Sequence, residues 1–205
     1  MDDNLKLWEG QFGDDYTERN CSSFENIEAR RRLLLKIVGA MKEKIRSAVE
    51  IGAGCGANLK ALRYMVGPTV ALTAIEPNQR AREYMKTNIG AEVLSGCAGQ
   101  IPLQDASNDF VFTSGVLIHI PPAKLGAAMD EIHRVSSHWI AAIEYFSPEV
   151  TAVEYRGRAG ALWKADYGSL YLERFPDLRC IAYGFEWKPA TGLDNVTWHL
   201  LEKQP

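Results

Sequence analysis

Val49-Glu-Ile-Gly-Ala-Gly-Cys-Gly56 ends an apolar run at residues 47–51 and leads into a helical pattern beginning at Asn58. Glu76 follows twenty residues beyond Gly56, at the end of a second apolar run over residues 69–75. Glycines at Gly52, Gly54 and Gly56 let a backbone turn sharply between strand and helix and let a ligand come close. An acid ending the second strand can accept hydrogen bonds from two ribose hydroxyls. Together these features predict a nucleoside site at the carboxyl ends of parallel strands.

The dinucleotide fingerprint is G-x-G-x-x-G, with its helix N-terminus facing a pyrophosphate. Here the spacing is G-x-G-x-G, with Glu50 directly before it. A carboxylate there would repel a pyrophosphate and suits a cation. The sulfonium of S-adenosylmethionine is such a cation, and that molecule carries no phosphate. The expected cofactor is therefore S-adenosylmethionine, with Glu50 and Asn58 beside it and Glu76 on its ribose. A nicotinamide-dependent oxidoreductase of the same fold, another nucleotide and a purely structural turn are the rival readings of the loop.

Outward from the loop, strands alternate with helices. Helical patterns cover residues 26–44, 58–65, 79–88 and 121–135, and further strands are expected at 92–95, 109–114 and 138–145. Such alternation predicts parallel βαβ units in one sheet. Residues 179–187 and 196–201 read as a C-terminal antiparallel hairpin closing the sheet edge. The expected class is α/β, a Rossmann-like, mostly parallel sheet with helices on both faces. The chain has 205 residues, which suits one domain, residues 1–205. Within it, 1–25 reads as a lid or cap, with Trp8, Phe12 and Tyr16 on one helix face, and 147–176 as a substrate-side insert.

Net charge is −3 and pI about 5.9, an even balance that argues against a nucleic-acid surface. Cys21, Cys55, Cys97 and Cys180 form no C-x-x-C pair, so no zinc ribbon or thioredoxin motif is expected. No apolar leader follows Met1-Asp-Asp-Asn4 and no run is long enough to span a bilayer, so a cytoplasmic protein without a membrane partner is expected. The sequence carries no signal for an oligomeric state.

These residues resemble the class I S-adenosylmethionine-dependent methyltransferases and, more narrowly, the pseudaminic acid biosynthesis-associated methylase family. The likeness lies in Trp8-Glu-Gly-Gln-Phe-Gly-Asp-Asp-Tyr-Thr-Glu-Arg-Asn20, the glycine loop, Val111-Phe-Thr-Ser-Gly-Val-Leu-Ile-His-Ile-Pro121 and Glu144-Tyr-Phe-Ser-Pro148. Phe175-Pro-Asp-Leu-Arg179 and residues 193–203 also fit. The resemblance implies donor contacts at Gly52, Gly54 and Gly56, ribose contact at Glu76, and pocket walls at Pro77, Ala98, Ser114 and Val116. Cys97 stands where an acid commonly meets the adenine amine, and Cys97 with Gly99 departs from the polar residues of that loop. The loop at 189–195 is short for the family.

Methyl transfer chiefly needs alignment of acceptor and methyl group, with removal of a proton from an oxygen or nitrogen nucleophile. His119, beyond the fourth strand, suits a general base near neutrality. Glu144 and Tyr145, ending the fifth strand, are further catalytic candidates. Tyr16, Arg19 and Asn20 are placed to close over the donor, with Arg19 on its carboxylate. Tyr155, Arg156, Arg158, Trp163 and Lys164 suit an anionic sugar through stacking and charge. Each has a plainer structural reading, as a backbone-bonded histidine, a paired surface acid, a helix ion pair or a solvated loop. His133, His138 and His199 are scattered, and no metal is expected. The expected activity is methylation of a small-molecule acceptor, in particular a sugar, amino sugar or glycan intermediate. A peptide or nucleic acid base as acceptor, and a non-catalytic nucleoside-binding module, are the alternatives.

Overall fold

The computed structural model describes residues 3–20 and 24–204, with side chains from Asn4 and, after the gap, from Asn26 onward. Cys21 lies outside the described residues.

Five strands lie side by side in parallel: β1 (Ser47–Ile51), β2 (Ala71–Glu76), β3 (Glu92–Ser95), β4 (Asn108–Ser114) and β5 (Ser136–Glu144). β8 (Leu178–Glu186) and β9 (Val196–Lys203) complete a seven-stranded sheet in the order β3-β2-β1-β4-β5-β9-β8. The two C-terminal strands pair antiparallel as expected, but β9 lies inside, between β5 and β8. The sheet is a mostly parallel, Rossmann-like one with helices on both faces.

Burial on both faces explains the near-continuous apolar strands. Alternate side chains serve opposite layers. Ala48, Phe110, Phe112, Trp139 and Ala141 pack against α3 (Phe24–Gly39) and α4 (Ala57–Val66). Val49, Ile51, Val111, Ile140 and Ala142 pack against α6 (Pro122–Val135) and α7 (Tyr167–Arg174). α5 (Gln79–Asn88) starts at Asn78, whose side-chain oxygen accepts from Ala81 N at 2.8 Å.

The chain leaves β1 toward β2 and β3, then returns to place β4 on the other side of β1. This reversal leaves a crevice outside the carboxyl ends of β1 and β4, where ligands bind in such sheets. The register is level there: Ile51 pairs with Ile75 and with Thr113. Gly52, Glu76 and Ser114 thus emerge at one edge.

Two segments depart from the sequence reading. Residues 3–20 form two helices, α1 (Asp3–Glu9) and α2 (Gln11–Asn20), bent at Gly10. The three aromatics still meet, because the bend folds Trp8 back onto Phe12 and Tyr16, at centroid distances of 5.2 and 5.3 Å. The insert holds a hairpin, β6 (Thr151–Tyr155) and β7 (Arg158–Lys164), followed by α7. Arg156 (φ 50°) and Gly157 (φ 74°) form its two-residue turn, a mirror-image geometry suited to strand twist.

Gly56 opens α4 at φ 71°, and a Cβ there would lie 2.8 Å from Ile89 Cγ1. Backbone strain and overpacking act together at this position. Gly56→Ala should lower unfolding free energy by roughly 1–3 kcal/mol. Denaturant titration followed by circular dichroism checks this.

Candidate active site

A cavity of about 350 Å³ opens at the carboxyl ends of β1, β2 and β4. That volume lies within the range of small-molecule sites. Tyr16, Glu50, Gly52, Gly54, Asn58, Glu76, Pro77, Cys97, Ala98, Ser114, Val116 and His119 all line it. Arg19, Gly56, Glu144 and Tyr145 do not.

The floor is built from backbone. Gly52 N and Ala53 N donate to Ile75 O at 2.7 and 3.1 Å, so the loop crosses the end of β2. Gly52 has φ 70°, and a Cβ on it would stand 2.6 Å from Val116 Cγ2. Glu76 is buried and accepts from Gly54 N (2.7 Å) and Asn78 N (2.9 Å). Burial pushes its pKa up, and those two N–H groups oppose the rise. Each carboxylate oxygen keeps further acceptor capacity for a ribose hydroxyl.

Glu50 lies deeper, 1% exposed. Its Oε1 accepts from Asn58 Nδ2 at 2.6 Å, while Oε2 is buried with no hydrogen bond among the described residues. Burial pushes its pKa to about 8, against the pull of Asn58. An unsatisfied carboxylate oxygen beside a cavity fits the cationic end of S-adenosylmethionine. Arg30 Nη1 donates to Asn58 Oδ1 at 2.8 Å and also lines the cavity. It is Arg30 that brings a guanidinium to the cavity. Arg19 is exposed on α2, outside the lining. In the sequence Arg30 is one of three consecutive arginines on a charged helix face, so only tertiary packing singles it out.

Cys97 and Ala98 form another wall of the cavity. Cys97 and Gln100 exchange backbone hydrogen bonds of 3.4 and 3.0 Å, closing a tight loop. Glu131 on α6 braces it by accepting from Ile101 N at 2.8 Å.

Across the cavity, a 3-10 turn (Leu117–His119) carries His119. His119 Nδ1 is 2.7 Å from Ala161 O. A carbonyl only accepts, so the proton sits on Nδ1 and Nε2 is the acceptor. Burial pushes the imidazole down to about 4, and its ring lies against Trp8 (4.7 Å) and Tyr155 (5.0 Å). Glu144 is buried beneath this turn, where Oε1 accepts from Val116 N (3.2 Å) and Oε2 from Ile118 N (3.4 Å). Burial raises it to about 7. Tyr145 OH donates to Asp194 at 2.9 Å, and burial pushes its pKa above the usual phenol range. Glu144 therefore lies behind the His119 turn, and neither it nor Tyr145 lines the cavity. In the insert, Arg158 lies over Phe12 (5.8 Å), Arg156 over Tyr155 (5.7 Å) and Lys164 over Tyr145 (5.9 Å). Among the described residues no group of three or more His, Cys, Asp or Glu is placed to hold a metal.

Residues 48–138 match the family model described as "Methyltransferase domain". No curated protein matches the chain. Among solved structures, a SAM-dependent methyltransferase from Aquifex aeolicus is similar: TM-score 0.68, 19% identity, 92% of this chain and 97% of that one covered. The 1,6-didemethyltoxoflavin-N1-methyltransferase of Burkholderia thailandensis, solved with S-adenosylhomocysteine, gives TM-score 0.69 at 15% identity, covering 98% and 88%. A possible histamine N-methyltransferase from Thermotoga maritima gives 0.65 at 18%, covering 98% and 100%. At these identities the structures share the fold. Residues 48–138 thus match a methyltransferase domain, and the fold around them is the one these methyltransferase structures share.

Glu50 supplies a pH test. Its folded pKa of about 8 stands above the unfolded value, so the folded apo-protein binds the extra proton. Its contribution to stability is present at low pH and is lost as pH rises from about 4.5 to 8. A cationic ligand favours the ionised form. Donor binding at pH 7 should then release a proton, seen as a calorimetric heat that depends on buffer ionisation enthalpy. In Glu50→Gln that dependence should vanish.

Proposed function

We propose that the chain transfers a methyl group from S-adenosylmethionine to an oxygen or nitrogen of a small molecule, in particular a sugar, amino sugar or glycan intermediate. The bound donor supplies a methyl already activated on a sulfonium. Gly52 and Gly54 let it approach the backbone, Glu76 takes the ribose, and Glu50 with Asn58 and Arg30 holds the amino-acid end. Pro77, Cys97, Ala98, Ser114, Val116 and Tyr16 wall it in.

The buried carboxyl of Glu50, lining the cavity beside Asn58, carries this reading: it suits a cation, which a dinucleotide pyrophosphate would not bring. A small acceptor is supported by the cavity's volume and by its roof, since Trp8, Tyr16 and Thr17 of α1–α2 close over it. In this reading the two helices of residues 3–20 act as lid, and the β6–β7 hairpin backs His119 through Ala161 O and the Tyr155 ring. A sugar is supported by Phe12 and Tyr155 rings flanked by Arg158 and Arg156, a setting for stacking and for an anionic group.

His119 is the residue for the acceptor's proton. Neutral at physiological pH, it accepts a hydrogen bond at Nε2 and takes up or relays the proton as the new bond forms. Glu144 acts beneath it, holding the turn by its backbone. Tyr145, bound to Asp194, stays outside the cavity. Among the described residues Cys55, Cys97 and Cys180 form no disulfide, in keeping with a cytoplasmic setting. Among the described residues no helix is long and apolar enough to cross a membrane.

Saturation with S-adenosylhomocysteine at about 100 times its Kd should stabilise the protein by about 2.7 kcal/mol. Glu76→Ala should weaken that binding by at least about tenfold, the loss of one charge-assisted hydrogen bond. Thermal shift and calorimetry read both. An unmoved melting temperature at millimolar ligand counts against the donor site. Mass spectrometry for a methyl-mass gain across hydroxyl- and amine-bearing sugars tests the acceptor. Gain confined to peptides or bases rejects the sugar.

A further inference from the structure

Asn78 stands between the donor site and its roof, and all of its side-chain hydrogen-bonding groups are engaged. It is 2% exposed. Its backbone N–H donates to Glu76 Oε1 at 2.9 Å, and its Oδ1 caps α5 at Ala81 N, 2.8 Å away. Both protons of its Nδ2 reach the roof: one to Trp8 O (3.2 Å), one to Asp14 Oδ1 (2.8 Å). The fit is close, since a Cβ on Gly13 would lie 2.8 Å from Asn78 Nδ2 and would collide with Trp8 O.

The roof continues to the acceptor side. Asn4 Nδ2 donates to His119 O and to Gly160 O, both at 3.2 Å. The Trp8 ring lies on the His119 ring. At the other end of the roof, Cys55 Sγ donates to Thr17 O at 3.4 Å, so α2 also rests on the glycine loop. One rigid pair of short helices therefore touches the ribose acid's neighbour, the glycine loop and the histidine turn.

We infer that Asn78 is a positioning residue that couples donor binding at Glu76 to the seating of α1–α2, and so to the Trp8–His119 wall that receives the acceptor. This rests on Glu76 taking the donor's ribose. A ribose on Glu76 fixes that carboxylate, which fixes the 76–78 backbone it already bonds. The amide of Asn78 is then held where both roof acceptors need it. The donor enters while the roof is raised, and the acceptor pocket is complete only when the roof is seated, which orders donor before acceptor. A conformational response of this kind requires that the ligand favour the seated state, and Asn78 supplies that differential contact.

Two substitutions separate this role from simple folding. Asn78→Asp keeps the helix cap and the N–H to Glu76, removes both roof donors and sets a carboxylate against Asp14. Asp14→Ala removes only the roof's own acceptor and lies outside the donor site. Hydrogen exchange of residues 4–19 is measured with and without S-adenosylhomocysteine, at occupancies matched by calorimetry. In the parent protein the ligand should slow exchange there about tenfold, and in both variants less than about twofold at equal occupancy. Full slowing in the variants, or none in the saturated parent, overturns the coupling while leaving the donor site standing. Absence of binding to the parent overturns the donor site itself, and the coupling with it.

Discussion

The carboxylate of Glu76 is bound by backbone on both sides, and the site takes its shape from that. Gly54 N reaches one oxygen only because the loop after β1 crosses the end of β2. Asn78 N reaches the other only because the chain turns at once into α5. The parallel register of β1 and β2 sets the first relation, and the cap of α5 sets the second. A side chain that could rotate freely would lose entropy on meeting a ribose. Here the two backbone bonds meet part of that cost in folding.

Three buried acids mark three strand ends, and each is held differently. Glu76 is held by two backbone N–H groups, Glu50 by one amide with an oxygen left over, and Glu144 by the turn above it. Burial favours the neutral form of all three. Their different partners suit the proposed division of labour: a ribose seat, a cation seat and a structural brace. His119 follows the same rule with the opposite sign, since burial keeps its ring uncharged.

The parallel core was legible because its strands are apolar on both faces and its helices have caps and breakers. Ser47–Ile51, Gln79–Asn88 and Glu92–Ser95 match the pattern read from sequence to the residue. The glycine loop and Glu76 were legible because spacing alone encodes a turn and a strand end. Other features depend on contacts distant in sequence. Arg30 rather than Arg19 faces the cavity, because Arg30 meets Asn58 across two helices. Gly56 shares the motif's spacing but is required by Ile89 and Met85 behind the loop. Glu144 ends a strand at the edge where acceptor groups sit, yet its carboxyl turns under the 116–118 backbone. The β6–β7 hairpin turns on Arg156-Gly157, which lacks the Asn-Gly or Asp-Gly signature of such turns.

The position of β9 has a consequence for how the molecule is made. It fills the gap between β5 and β8 although it is synthesised after both. Until residues 196–203 leave the ribosome, β5 presents an open edge with Trp139, Ile140 and Ile143 on it. A nascent chain with five parallel strands in place and its sixth neighbour missing is a template for pairing with other chains. Long-range closure of this kind is also slow. Pairing of β9 with β5 closes that edge, so the last strand made is the one that removes it.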